Sequence, residues 1–124
     1  MNQREFEGVT RQPAAIRYEY FIKKAVDYEE IWGLYNDGWA TAQDDMGNTL
    51  LPFFPNEKFA ETFAKKEWED FSPRRIELAH FLEKWLPGMK SDGVKPSIFP
   101  TETDSAIMDV DTLRIDLEAE LEKY

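Results

Sequence analysis

The 124-residue chain carries 25 acidic and 15 basic side chains, a net charge of −10. Nucleic acid and anionic membrane surfaces are therefore poor partners, since binding either demands Lys and Arg against phosphate. There is no cysteine, which excludes disulfides, zinc–thiolate centres and thiol nucleophiles.

Residues 1–12 read as a polar, flexible N-terminal segment without an apolar run of signal-peptide length. Residues 13–124 read as a single α+β domain. Hydrophobic residues make up 42% of the chain and aromatic residues 15%, too many for disorder and enough for a core. Pro13 suits the first turn of a helix. Tyr18, Phe21, Ile22, Ala25 and Tyr28 then follow at three- and four-residue spacings, one apolar stripe of an amphipathic helix.

The period changes at Ile31. Ile31–Tyr35 is strand-like, Asn36-Asp37-Gly38 is a turn, and Trp39–Gln43 returns, so the two runs predict a hairpin. After a second turn at Asp44–Asn48, Thr49–Phe54 predicts a third strand and an antiparallel meander. Pro52 cannot donate to a ladder and belongs toward an edge or a strand end. Asn56 is an N-cap for a helix from Glu57 to about Lys66, with Phe59, Ala60, Phe63 and Ala64 inward.

Arg74–Leu78 predicts a short strand, and Leu78, Phe81, Leu82 and Trp85 share one helical face. Pro87 and Gly88 break or kink that helix. Val94–Phe99 predicts an edge strand because of Pro96, and Ala106–Met108 a brief one. Asp111 caps a last helix with Leu113, Leu117, Leu121 and Tyr124 on its stripe. The order predicts an α+β fold: a layered, mostly antiparallel sheet, a β-meander plus further strands, packed with about four helices.

Arg17–Phe21, Trp32–Ala40, Leu82–Gly88 and Phe99-Pro100-Thr101 are spaced, aromatic-rich motifs. In them, and in the ending Asp111–Tyr124, the chain resembles the bacterial domain-of-unknown-function family numbered 2750. The resemblance starts at about residue 15 and implies no catalytic residues. The element order over Pro52–Thr101 is also similar, in pattern alone, to the N-terminal domain of SseB-type secretion-associated proteins.

Few constellations carry chemistry. His80 is the sole histidine, and neighbouring Glu77 and Glu83 give no ligand spacing, so it reads as structural. Asp44–Asn48 lacks the spacing of a calcium loop and reads as a solvated turn. Asp109 and Asp111 at a helix start read as capping. Glu67, Glu69 and Asp70, beside Trp68 and Phe71, read as a solvated loop or an acidic patch for a basic partner. Arg74-Arg75 reads as balancing Glu77 and Asp70, the alternative being an anion site. No phosphate loop or nucleophile elbow is present. No catalytic residue, cofactor or metal ligand is assigned.

The leading expectation is a cytoplasmic, non-enzymatic protein-interaction domain, in one version an immunity or antagonist protein that caps a basic enzyme. Its candidate surface is Trp32, Tyr35 and Trp39, which flank one turn, with Glu69 and Asp70. Sheet packing is the competing role for those aromatics. The alternatives are a small-ligand binder or enzyme, with a pocket between the aromatic hairpin and the helix carrying Phe81 and Trp85, and a regulator of a partner that is not basic.

Overall fold

The structure, a computed structural model, describes residues 2–124, with the side chain of Glu67 outside the described set. It is an α+β fold of helices packed on two small, mostly antiparallel sheets.

Gln3–Thr10 forms helix α1, where the sequence reading has a flexible segment. Two local features account for the difference. Asn2 accepts the amide hydrogen of Glu5 at 2.8 Å, an N-cap. The single inward aromatic, Phe6, stacks on Phe59 at 4.9 Å. Helix α2, Ala14–Tyr28, buries Arg17, Phe21, Ile22, Ala25 and Val26. Its stripe is thus rotated from the expected one, and Tyr28 is exposed.

Arg17 is tolerated inside because its donors are used. Nε donates to the Phe99 carbonyl at 3.1 Å and one terminal nitrogen to the Gln12 carbonyl at 2.7 Å. The other terminal nitrogen donates to the carbonyl and the carboxylate of Asp104, each at 2.8 Å. A buried guanidinium is stable only when satisfied in this way. It ties two of the sequence motifs, Arg17–Phe21 and Phe99-Pro100-Thr101, into one structural unit.

The strands are β1 (Glu30–Tyr35), β2 (Ala42–Gln43), β3 (Thr49–Phe53), β4 (Ser72–Glu77), β5 (Lys95–Ile98) and β6 (Ala106–Ile107). The expected meander is not formed. β1 pairs antiparallel with β4 in a two-stranded ribbon, while β2-β3-β5-β6 make a second sheet with β3 and β5 parallel. An isolated bridge between Trp32 and Phe54 joins the two. The segment after the hairpin turn forms only a Tyr35–Trp39 bridge before it leaves β1, on the edge that also meets Phe54, and β4 pairs along the opposite edge.

Pro52 and Pro96 lie inside the four-stranded sheet, away from the predicted edges. Pro52 falls between the end of β2, which reaches only Leu50, and the Trp32 bridge at Phe54. The donor it lacks has no acceptor waiting there. The Pro96 carbonyl accepts from Met108 at 3.0 Å, so its missing donor faces the side of β6, just past the two paired residues of that strand.

Helix α3, Glu57–Glu67, is capped by Asn56, which accepts from the Phe59 amide at 3.1 Å. Phe59, Ala60 and Ala64 point inward as the spacing predicts. Helix α4 starts at Leu78, runs through a π-helical stretch at Phe81–Trp85 and continues from Leu86 to Asp92. Pro87 therefore does not end it. The Leu86 amide donates five residues back, to Phe81, and this widened turn lets the chain pass a proline that would press on an ordinary α-turn. Gly93, at φ 71°, ends the helix. Helix α5, Val110–Leu121, is entered from Asp109, not Asp111. Asp111 lies in the first turn and pairs with Lys90 at 2.9 Å.

Candidate functional site

The aromatic hairpin is built on a recess. Directly opposed residues of an antiparallel pair share a face. Ile31, Gly33 and Tyr35 therefore lie with Ile76, Arg74 and Ser72 on one side of the β1–β4 ribbon. Trp32 lies opposite Arg75 on the other side. The turn at Asn36-Asp37-Gly38 brings Trp39 back over the first face. Asp37 takes φ 54°, and the Ala40 amide donates to the Leu34 carbonyl at 2.9 Å. The Trp39 indole then lies across Gly33, which has no side chain to block it.

Two rings and one cation meet that indole, and two further rings back it through Trp85. Trp39 meets Tyr35 edge-on at 5.2 Å and Trp85 edge-on at 4.6 Å. Trp85 and Phe81 in turn meet Phe53, at 5.7 and 5.0 Å. The π-helical stretch carries both Phe81 and Trp85, and such stretches are frequent at functional sites. Arg74 lays its guanidinium over Tyr35 at 4.2 Å and near Trp39 at 6.0 Å. Tyr35, Trp39 and Trp85 are each half-buried, and Arg74 is exposed. The aromatics are thus packed on their inner edges and open on their outer ones.

Beside the two indoles is an open hollow of about 480 Å³, lined by Trp39, Arg75, Ile76, Glu77, His80 and Trp85. His80 is exposed at its rim. Arg75 pairs with Glu30 at 3.5 Å and Glu77 at 3.8 Å.

The structure divides the candidate surface. Tyr35 and Trp39 stand together. Trp32 faces away from them, and its backbone joins Phe54 through hydrogen bonds of 3.0 and 2.8 Å; it does not face Trp39 across the turn. Glu69 and Asp70 are exposed in the turn that leads into Ser72, the partner of Tyr35. The Glu67 side chain lies outside the described residues. Gly33 was missed as a site residue, although a glycine inside a strand pattern signals close approach.

The other candidates resolve as local structure. Asp44 accepts from the Met46 and Asn48 amides at 2.9 and 2.8 Å and from the Asn48 side chain at 2.8 Å. These bonds hold its carboxyl below the usual carboxylate range, those from Asn48 most strongly. Among the described residues no three His, Asp or Glu side chains are grouped to hold a metal ion, and no helix is long and apolar enough to cross a membrane.

The profile of the family described as "Protein of unknown function (DUF2750)" matches residues 18–117. Every residue of the aromatic face falls inside that stretch. No curated protein matches the chain. Among solved structures, Anabaena Tic22 (protein transport) is similar with a TM-score of 0.44 at 14% identity, over 68% of this chain and 48% of that one. This chain thus spans about half the length of the Tic22 chain.

Proposed function

The chain belongs to the DUF2750 family of proteins of unknown function, and we propose that it is a non-enzymatic protein-interaction domain that docks a basic partner through the Tyr35–Trp39–Arg74–Trp85 face. The observation that carries this reading is the state of Trp39. Its indole is half-exposed yet clamped by Gly33, Tyr35 and Trp85. A rigid aromatic offers contact area at little cost in side-chain entropy. Trp, Tyr and Arg are also the residues that dominate binding hot spots.

Charge supports the choice of partner. Asp37, Glu69 and Asp70 are exposed around the Tyr35 end of the face, and the net charge of −10 steers a basic protein toward it. An immunity or antagonist protein that caps a basic enzyme is the specific form proposed. The cytoplasm is assigned on the lack of cysteine, since small secreted domains more often carry disulfides.

The test is affinity capture from native lysate with the parent chain and a Trp39→Ala variant, washed at low and then high salt. One basic protein, retained by the parent, released by salt and lost with the variant, is the expected result. A partner held equally by the variant removes this face from the interaction. A salt-insensitive partner removes the electrostatic form.

One observation favours a second reading. The hollow beside Trp39 and Trp85 is of ligand size. A small-molecule binder there would show a thermal shift with a metabolite fraction and none after Trp85→Ala. The openness of the hollow to solvent makes the protein partner the preferred occupant.

A further inference from the structure

The neighbouring arginines of β4 have different fates. Arg75 is used within the fold, paired with Glu30 and Glu77. Arg74 is not. Among the described residues it makes no ion pair and no hydrogen bond, and its contacts are the faces of Tyr35 and Trp39. The expectation that both arginines balance nearby acids holds for one of them only.

We propose that Arg74 is a carboxylate receptor at the centre of the aromatic face, and that the protein docked there presents an Asp or Glu side chain, or its C-terminal carboxylate, to this guanidinium. The inference rests on the docking reading above and adds the chemistry of the contact.

Three physical points support it. A guanidinium stacked on a ring uses its flat face and leaves its in-plane N–H edges free, in the fork that matches a carboxylate. The ring contact also limits the rotation of a long side chain, so less freedom is lost when a ligand is bound. Finally, among the described residues no carboxylate pairs with Arg74, although the chain has 25 acidic side chains to 15 basic ones. An unpaired, oriented cation on an acidic protein is complementary to an anion at contact range. The net charge acts at longer range, where screening has not yet removed it, and draws in a basic molecule whose contact surface includes one acid.

The experiment is a titration of the ¹⁵N-labelled chain at constant ionic strength, followed through the arginine Nε–Hε and tryptophan indole signals. The probe is N-acetylglutamic acid α-amide, and N-acetylglutamine amide is its neutral isostere. Arg4 and Arg11, both exposed, serve as internal controls. The expected result is a saturable shift of Arg74 at least about threefold larger than that of either control, absent with the isostere. Arg74→Lys keeps the charge and the ring contact but not the fork, and is expected to abolish the response of the Trp39 indole. Equal movement of Arg74 and Arg4 overturns the proposal, as does an equal response to the isostere. Loss of capture by Trp39→Ala is read separately, so docking without a carboxylate contact is distinguishable from no docking.

Discussion

A methyl group added at Gly33 would lie 2.9 Å from Cζ3 and 3.1 Å from Cε3 of Trp39. The glycine is the recess in which the indole rests, and the whole aromatic face depends on it.

Gly33→Ala is therefore expected to destabilise the fold. Alanine is normally the better strand residue by about 0.5–1 kcal/mol. Here the ring cannot yield easily, because Tyr35 and Trp85 hold its other edges. Overpacking of this kind costs about 1–3 kcal/mol, so a net loss of about 1–2 kcal/mol is expected in urea denaturation, with a shifted tryptophan emission. A variant as stable as the parent would show that the indole moves freely.

Removal of Arg17 should be more damaging. Arg17→Met keeps most of the volume but abandons the carbonyls of Phe99 and Gln12 and both Asp104 contacts. A loss of about 2–4 kcal/mol is expected. Arg17→Lys should recover little of it, since one ammonium cannot reach acceptors arranged around a fork. Thermal denaturation of the two variants checks both statements; full recovery by lysine would reduce the role of Arg17 to charge alone.

Alkaline pH should weaken the fold through two phenols. Burial, and then the hydrogen bond and charge of Asp116, push Tyr18 above the usual tyrosine range; burial and Glu5 do the same for Tyr20. Both hold their protons more tightly folded than unfolded. Their contribution is complete below about pH 10, where an unfolded tyrosine ionises, and is lost as pH rises through the higher folded-state values. Denaturation midpoints should fall above that pH, and less steeply in Tyr18→Phe. Phenolate absorbance should show two of the five tyrosines ionising only on unfolding.

The turn at Asp44 should open at acid pH. Its folded-state pKa is depressed by the bonds it accepts from Asn48 and Met46. Its stabilising effect is thus present above the unfolded value near 3.9 and is lost as pH falls through the lower folded value. The amide signals of Met46 and Asn48 should move together, with a midpoint below about pH 3.9. A midpoint at or above that value would mean that the carboxylate bonds do not form in solution.

Much of the fold was legible from local rules. The α3 stripe and its Asn56 cap, the turn at Asn36-Asp37-Gly38 and the α+β class follow from spacing and turn chemistry, which act between residues close in sequence. The chain as a sequence also determined its charge, its lack of thiol chemistry and the clustering of Trp32, Tyr35 and Trp39 at one turn. Only the tertiary structure decided which of these aromatics act together. The side of the ribbon on which each ring lies, and what it meets there, depends on β1 pairing with β4 across the whole of α3, and no local pattern specifies that ladder. The same holds for Arg17, whose acceptors lie up to 87 residues away, and for Arg74, which has no acidic partner among the described residues while Arg75 pairs with Glu30 and Glu77. Long-range pairing is a competition among distant segments for the same donors and acceptors, and the folded packing alone shows which of them won.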